Sequence, residues 1–199
     1  MTDITNLSTV NVAISNYIAV VTMNNPPVNA QNRQFHDDLT LAFDVLSDRN
    51  DVRSIVLTGA GKCFSAGADI KGRASQESDL GDHWVHSRRV RECFYSIMEC
   101  RKPVIAAING AALGAGLAVA ASADILIASE SASVGLPEIN VGLLGGGRHA
   151  MRLFGHSKTR RLMLTGQRLS GAELYRLGIV EECVPDDDLM RAALEIAEE

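Results

Sequence analysis

The 199-residue sequence lacks the features that mark secreted, membrane-spanning and zinc-binding proteins. Its four cysteines are scattered, and they form neither a dense disulfide pattern nor the Cys-x-x-Cys pairs of a zinc site. The longest apolar stretch, residues 104–121, is interrupted by Asn109 and three glycines, which argues against a membrane span. The first residues show no basic start followed by an apolar segment. We therefore expect a cytoplasmic protein with no membrane partner and no bound metal.

Positive charge is also in short supply. There are 19 Lys and Arg residues against 24 Asp and Glu residues, so the formal net charge is −5. An acidic chain offers no stripe of basic side chains to displace counterions from duplex nucleic acid, so we expect no nucleic-acid partner. Hydrophobic residues make up 46% of the sequence, which is typical of a folded protein and disfavours disorder. The length fits a single domain, residues 1–199.

Three common active-site motifs are missing. The sequence contains no Gly-x-Ser-x-Gly nucleophile elbow and no Gly-x-x-x-x-Gly-Lys-Ser/Thr phosphate-binding loop. The glycines at 110–116 lack the dinucleotide fingerprint with its acidic residue about 20 positions further on. These absences disfavour a serine hydrolase, a P-loop NTPase and a dinucleotide-dependent enzyme.

Strand-like and helix-like segments alternate along the chain. Short β-rich segments predict a hairpin at residues 10–14 and 18–23, and apolar runs predict further strands at residues 53–58, 104–108, 124–128 and 178–180. Helical spacing of apolar residues predicts helices at residues 32–48, 83–100, 114–122, 145–154, 158–164, 171–177 and from 189 onward. This alternation predicts an α/β fold with parallel strand pairing.

Two turns built of small residues each follow a predicted strand and precede a predicted helix, at residues 64–71 and 109–116. Such turns leave backbone N–H groups pointing outward, and small side chains let a substrate carbonyl approach them closely. Two such turns that converge would form an oxyanion hole. The alternative is that the small residues only allow tight packing of helix against strand.

With these motifs the sequence resembles the crotonase (enoyl-CoA hydratase/isomerase) superfamily. The resemblance rests on residues 64–71 (FSAGADIK), 102–110 (KPVIAAING) and 135–139 (GLPEI), and residues 25–30 and 164–166 fit the same pattern. It implies an α/β crotonase-like (ClpP/crotonase) fold with a spiral core of repeated ββα units. It also implies acyl-CoA thioester substrates, no further cofactor, and a homotrimer or dimer of trimers. The core would span about residues 10–185, and residues 186–199 would begin a C-terminal helical region that we expect to be truncated.

The resemblance also assigns site residues. The thioester oxygen would be held by the backbone N–H groups of Ala66 and Ala115. Other residues of the two turns would bind the substrate, and three basic residues beside the first turn are candidates for the CoA phosphates, although each is equally well explained as a solvated surface residue. The substrate-binding set is Ala66, Gly67, Ala68, Asp69, Ile70, Lys71 and Gly114, and the basic set is Lys62, Lys71 and Arg73. Asp69 fits a local structural acceptor better than an acid catalyst.

Proton transfer is assigned to Glu138. Hydratases of this family typically use two glutamates, and the position of the other one holds Ala118 here. One carboxylate can shuttle a proton between two carbons, which favours Δ3,Δ2-enoyl-CoA isomerisation. Hydratases are the commoner members of the family, and a glutamate from elsewhere could take the second role, so an enoyl-CoA hydratase stays the alternative. Where relatives carry glycines, this chain has Arg148 and His149, which either enter the acyl pocket or lie on the helix surface. These departures leave open a non-catalytic protein that binds acyl-CoA or serves in assembly.

Overall fold

Twelve strands and seven α-helices make up the computed structural model, which describes residue 4, residues 6–70 and residues 80–199. The strands are β1 (Val10–Ser15), β2 (Ile18–Met23), β3 (Ala30–Gln31), β4 (Ser54–Gly59), β5 (Cys63–Ser65), β6 (Gly67–Ala68), β7 (Val104–Ile108), β8 (Ala111–Leu113), β9 (Ile125–Ser129), β10 (Ser133–Gly135), β11 (Arg168–Ser170) and β12 (Cys183–Val184). The helices are α1 (Arg33–Asp48), α2 (Leu80–Met98), α3 (Ala115–Ala120), α4 (Gly147–Ala150), α5 (His156–Thr165), α6 (Gly171–Arg176) and α7 (Leu189–Glu198). Two 3₁₀ turns span Pro137–Val141 and Asp186–Asp188.

The largest sheet has the strand order β1-β2-β4-β7-β9-β12. Strands β1 and β2 form the predicted antiparallel hairpin, and its turn residues Asn16 and Tyr17 both have positive φ, as a two-residue hairpin turn requires. All other neighbours in this sheet pair in parallel. The predicted α/β class with parallel pairing is therefore confirmed.

Both faces of the central strands of this sheet are buried, which explains why these strands are mostly apolar. In β4, Ile55 and Leu57 face the main core, which also contains residues of α1, while Val56 faces a second cluster that includes Leu189 of α7. Successive side chains of a strand point to opposite faces, so helices on both sides are needed to cover such a strand. The Ser54 hydroxyl links the sheet to α7 by donating to the carbonyl of Ala197 at 2.8 Å.

A smaller sheet, with the order β11-β10-β8-β5, and the pair β3-β6 carry the turns of interest. None of these strands exceeds three residues, and their partners are distant in sequence. Three residues are too few to display an alternation of apolar and polar side chains, which is why residues 63–69 read as a loop in the sequence. The apolar alternation that predicts strands operates over four or more residues.

The strand predicted at residues 178–180 is wrong. Gly178 has φ of +68° and ends α6, and the N–H of Ile179 donates to the carbonyl of Leu174 at 2.9 Å. A hydrogen bond of this kind is typical of a helix C-terminus, where glycine adopts the left-handed conformation without strain. The last strand is instead β12, which pairs with β9 in parallel.

Across the described ranges, no helix has both the length and the apolarity needed to cross a membrane.

Candidate functional site

The first small-residue turn is held in place by Asn29. Its side-chain amide donates to the carbonyls of Ala60, Cys63 and Phe64 at 3.1, 2.7 and 3.2 Å. Asn29 is buried and has φ of +52°, a conformation that asparagine tolerates better than most residues. A single side chain therefore fixes the backbone that enters the turn. Asn29 was missed as a site residue in the sequence, although it lies within the 25–30 motif that signals the family.

Ser65 forms the second support of this turn. Its hydroxyl donates to the carbonyl of Asn29 at 2.7 Å and accepts from the side-chain amide of Gln31 at 3.1 Å and from the N–H of Gly67 at 3.3 Å. The side chain is fully buried, and its hydrogen-bonding capacity is used within the turn. Ser65 is thus a structural residue and not a nucleophile, in agreement with the missing nucleophile elbow.

The assignment of the first oxyanion donor to Ala66 requires correction. The N–H of Ala66 donates to the carbonyl of Val28 at 2.9 Å, so it is already occupied. Ala68, two residues further on in β6, has its N–H group in a different direction. The N–H of Asp69 donates to the carbonyl of Gln31 in β3, and N–H groups alternate in direction along a strand, so the N–H of Ala68 points away from β3.

The second turn places Ala115 at the first position of α3. Gly114 precedes the helix with φ of +56° and offers no side chain to cap it. The first N–H groups of a helix have no intrahelical acceptor, so α3 itself offers no partner for the amide of Ala115. The helix is fixed behind this position, because the N–H of Gly114 donates to the carbonyl of Gly135 and the N–H of Ala118 donates to the carbonyl of Gly114.

The two turns touch through their backbones. A Cβ atom built on Gly67 would lie 3.1 Å from the amide nitrogen of Ala115 and 2.5 Å from the carbonyl oxygen of Leu113. A Cβ on Gly116 would overlap the carbonyl oxygen of Ser65. Only glycine allows this approach, and it brings the strand that carries Ala68 against the start of α3.

Glu138 belongs to the 3₁₀ turn Pro137–Val141, and its carboxyl lies next to the second small-residue turn. Its Oε1 lies 2.8 Å from the position that a Cβ on Gly114 would take. Its Oε2 is buried and has no hydrogen-bond partner among the described residues. Burial raises the pKa of this carboxyl, only partly opposed by a backbone hydrogen bond. A raised pKa increases the protonated fraction of the carboxyl near neutral pH, so the group can both give and accept a proton.

Ala118 and the residues after the glycine-rich loop, residues 145–147, are the two places where the sequence departs from the pattern it resembles. Ala118 is 2% exposed and belongs to the main core. In α4, Arg148 is exposed, whereas the ring of His149 is half-buried and packs edge-on against Phe94 of α2, with 4.7 Å between ring centroids. Of the two alternatives posed by the sequence, the helix surface holds for Arg148, whereas entry of His149 into an acyl pocket stays a prediction.

The remaining candidate residues from the sequence differ in how exposed they are. Asp69 is half-buried, Ile70 is 48% exposed and Lys62 is exposed beside the first turn. Lys71 and Arg73 lie outside the described residues. In the described part of the chain, no cluster of three or more His, Cys, Asp or Glu side chains has the arrangement of a metal site.

Comparison with known proteins agrees with the motifs. Residues 13–199 match the family described as Enoyl-CoA hydratase/isomerase. The chain is 37% identical over 184 residues to a probable enoyl-CoA hydratase of Bacillus subtilis (strain 168), covering 91% of this chain and 71% of the relative. It is 36% identical over 185 residues to a probable mitochondrial enoyl-CoA hydratase of Dictyostelium discoideum, covering 91% of this chain but only 65% of that relative.

A solved structure has a similar fold. Pseudomonas aeruginosa DspI superposes with a TM-score of 0.88 at 34% identity, covering 96% of this chain and 79% of that one. Family match, relatives and fold agree with the crotonase-like architecture expected from the motifs. This chain belongs to the enoyl-CoA hydratase/isomerase family.

Proposed function

We propose that the protein acts on acyl-CoA thioesters, holding the thioester oxygen with the N–H groups of Ala68 and Ala115 and moving a proton with Glu138. One observation supports this proposal: the two distant turns are in backbone contact where Gly67 meets the amide nitrogen of Ala115, and the carboxyl of Glu138 lies against Gly114. The names of the relatives support the substrate class, because the Bacillus subtilis and Dictyostelium discoideum proteins are described as probable enoyl-CoA hydratases.

The two N–H groups would act on charge that develops during the reaction. When a base removes a proton from the α- or γ-carbon of an enoyl thioester, negative charge moves onto the thioester oxygen. Donors fixed in advance stabilise that charge without reorganising, and one such donor is worth about 10²–10³ in kcat. The donors proposed here are backbone groups in turns supported by Asn29 and Ser65, so their positions do not depend on flexible side chains.

Glu138 alone supports isomerisation. A carboxylate that takes a proton from one carbon and returns it to another two bonds away shifts a double bond from the 3,4 to the 2,3 position. Hydration demands more, because water must be held at the β-carbon while the α-carbon receives a proton. With Ala118 in place of a carboxylate, Glu138 on its own favours the isomerase reaction.

The test compares the Glu138→Gln variant with the unchanged protein on 2-enoyl-CoA and 3-enoyl-CoA substrates of several chain lengths. We expect kcat to fall by about 10²–10⁴, the usual contribution of general acid–base catalysis, with little change in the dissociation constant of an acyl-CoA. Glu181→Gln, at an exposed position, is the matched control and should keep full activity. Activity retained by Glu138→Gln excludes the proposed role.

The same assay tests the non-catalytic alternative. If the unchanged protein binds acyl-CoA but turns over neither substrate at any chain length, the chain is a binding member of the fold. The expected homotrimer or dimer of trimers is a separate prediction, checked by light scattering coupled to size-exclusion chromatography.

A further inference from the structure

Two titratable side chains near the proposed site each contain a buried polar atom that lacks a hydrogen-bond partner among the described residues. These atoms are Oε2 of Glu138 and Nδ1 of His149. Buried polar atoms in native proteins are nearly always hydrogen-bonded, and one without a protein partner is commonly satisfied by an ordered water. The two side chains are 11 positions apart in sequence, and the glycine-rich loop connects them.

The loop brings the two groups into one neighbourhood. Oε1 of Glu138 lies 4.0 and 3.8 Å from the positions that Cβ atoms on Gly145 and Gly146 would occupy. The carbonyl of Gly146 accepts from the N–H of Ala150 at 2.9 Å, which closes the turn of α4 that contains His149. The imidazole therefore projects from the helical turn that starts at the glycines touched by the Glu138 carboxyl.

The direction of the imidazole is set by its packing. Its ring contacts Phe94 of α2 edge-on, with an angle of 69° between ring planes. Helix α3, which carries both Ala115 and Ala118, packs against α2 and against α4. His149 thus lies where these three helices pack together, and α3 is the helix that has the methyl group of Ala118 in place of a carboxylate. The neighbouring Arg148, by contrast, is exposed.

The surroundings of His149 keep its ring neutral. Burial lowers the pKa of the imidazole, and the guanidinium groups of Arg152 and Arg148 lower it further. A neutral imidazole has a free lone pair and can accept a proton, whereas an imidazolium cannot. Glu138 is shifted the other way, toward its protonated form. The two shifts favour an imidazole that accepts a proton and a carboxyl that donates one, on the neighbouring elements α4 and the 3₁₀ turn Pro137–Val141.

We propose that His149 is the second catalytic group of this site, the base that activates water for addition to a 2-enoyl thioester. This inference rests on the proposed function and extends it from isomerisation to hydration. It assigns to an imidazole from α4 the task for which α3 provides no carboxylate at Ala118.

The step balances with the groups present. The water oxygen bonds to the β-carbon, its proton passes to the imidazole of His149, and the π electrons of the double bond move onto the α-carbon and thioester oxygen. The α-carbon then takes the proton of the Glu138 carboxyl, and the thioester carbonyl re-forms. The proton on His149 returns to the Glu138 carboxylate through solvent, which resets both groups without any further reactant.

The test measures two reactions on the same variants. His149→Ala and His149→Gln should lower the rate of 2-enoyl-CoA hydration by about 100-fold or more, the scale of a lost general base. Isomerisation of 3-enoyl-CoA needs only Glu138, so it should fall by less than tenfold in the same variants. His156→Ala, at an exposed histidine in α5, is the matched control and should keep both activities.

The outcomes separate this inference from the proposed function. Hydration retained in both His149 variants, or an equal loss of both reactions, overturns the catalytic role of His149. An unchanged protein that isomerises but does not hydrate also overturns it, while leaving the Glu138 proposal intact. Absence of both reactions in the unchanged protein defeats the proposed function itself. Circular dichroism and thermal unfolding of His149→Gln check that any loss of hydration occurs in a folded protein.

Discussion

Substitution of Gly67 by alanine tests the central geometric claim, that two backbone turns in contact form the oxyanion hole. Gly67 has φ of +89°, and its added Cβ would lie 2.5 Å from the carbonyl oxygen of Leu113 and 3.1 Å from the amide nitrogen of Ala115. Both neighbours are backbone atoms, so no side chain can rotate away to make room. The turns must separate, and the N–H of Ala68 and the N–H of Ala115 must separate with them.

The size of the effect follows from two costs. A non-glycine residue held at positive φ loses about 1–2 kcal/mol. Overpacking of a rigid contact adds about 1–3 kcal/mol. Gly67→Ala should therefore lower the free energy of unfolding by about 2–5 kcal/mol. Because a proposed oxyanion donor would be displaced, kcat should also fall by about 10²–10³.

Gly61 provides the matched control, since it has φ of +73° near the same turn and an added Cβ would meet nothing within 4 Å. Gly61→Ala should show the conformational cost alone, about 1–2 kcal/mol, and keep its activity. Urea unfolding gives the stabilities, and steady-state kinetics on enoyl-CoA substrates give kcat. If Gly67→Ala is as active and as stable as Gly61→Ala, the contact between the turns does not form the hole, and the reasoning fails.

Three further predictions concern single side chains. Glu138→Gln should be more stable than the unchanged protein at pH 7 but not near pH 4. Burial raises the pKa of the folded-state carboxyl, so the stability contributed by its protonated form is lost as pH rises through that raised pKa. Urea unfolding at the two pH values measures the two stability differences, and equal differences contradict the prediction. Asn29→Asp should lower the free energy of unfolding by at least about 2 kcal/mol, because three buried carbonyls lose their shared donor; an unchanged thermal midpoint would show that they find other partners. Asp38→Asn should cost about 1–3 kcal/mol at pH 7, with the difference from the unchanged protein shrinking as pH falls below about 4. Burial acts to raise the pKa of Asp38, but hydrogen bonds from Gln34, Thr9 and Ser8 together hold it below its usual value. The charged carboxylate therefore stabilises the fold, and that contribution disappears on acidification. A stability difference that does not change with pH would contradict this prediction.

The long elements could be predicted from sequence because each carries its own periodic signal. Helix α1 begins at Arg33, one residue inside the predicted range, and the side chain of Asn32 caps it by accepting from the N–H of Phe35 at 2.8 Å. The strands β2, β4 and β7 lie within a residue of their predicted bounds. Their apolar runs reflect burial on both faces of the sheet, which is a property of the segment itself.

The short strands escaped prediction for the opposite reason. Strands β5, β8 and β10 hold three residues each, and they are stabilised by partners 22 or more positions away in the chain. No local pattern encodes such pairing. The error at residues 178–180 is of the same kind, because an apolar pair after a helix reads as a strand until the glycine hydrogen bonding shows that it ends α6.

By itself, the sequence determined the family, the α/β class and the candidate Glu138, because motifs and periodicity are local properties of the chain. Only the tertiary structure showed that the N–H group first assigned to the oxyanion hole is already paired. The amide of Ala66 is paired with Val28, a residue 38 positions earlier, and no sequence pattern reveals such a hydrogen bond. The inward position of His149 was likewise settled by Phe94, on a helix distant in sequence. The direction of a backbone amide and the burial of a ring depend on what lies opposite them, and that is fixed only when the chain has folded.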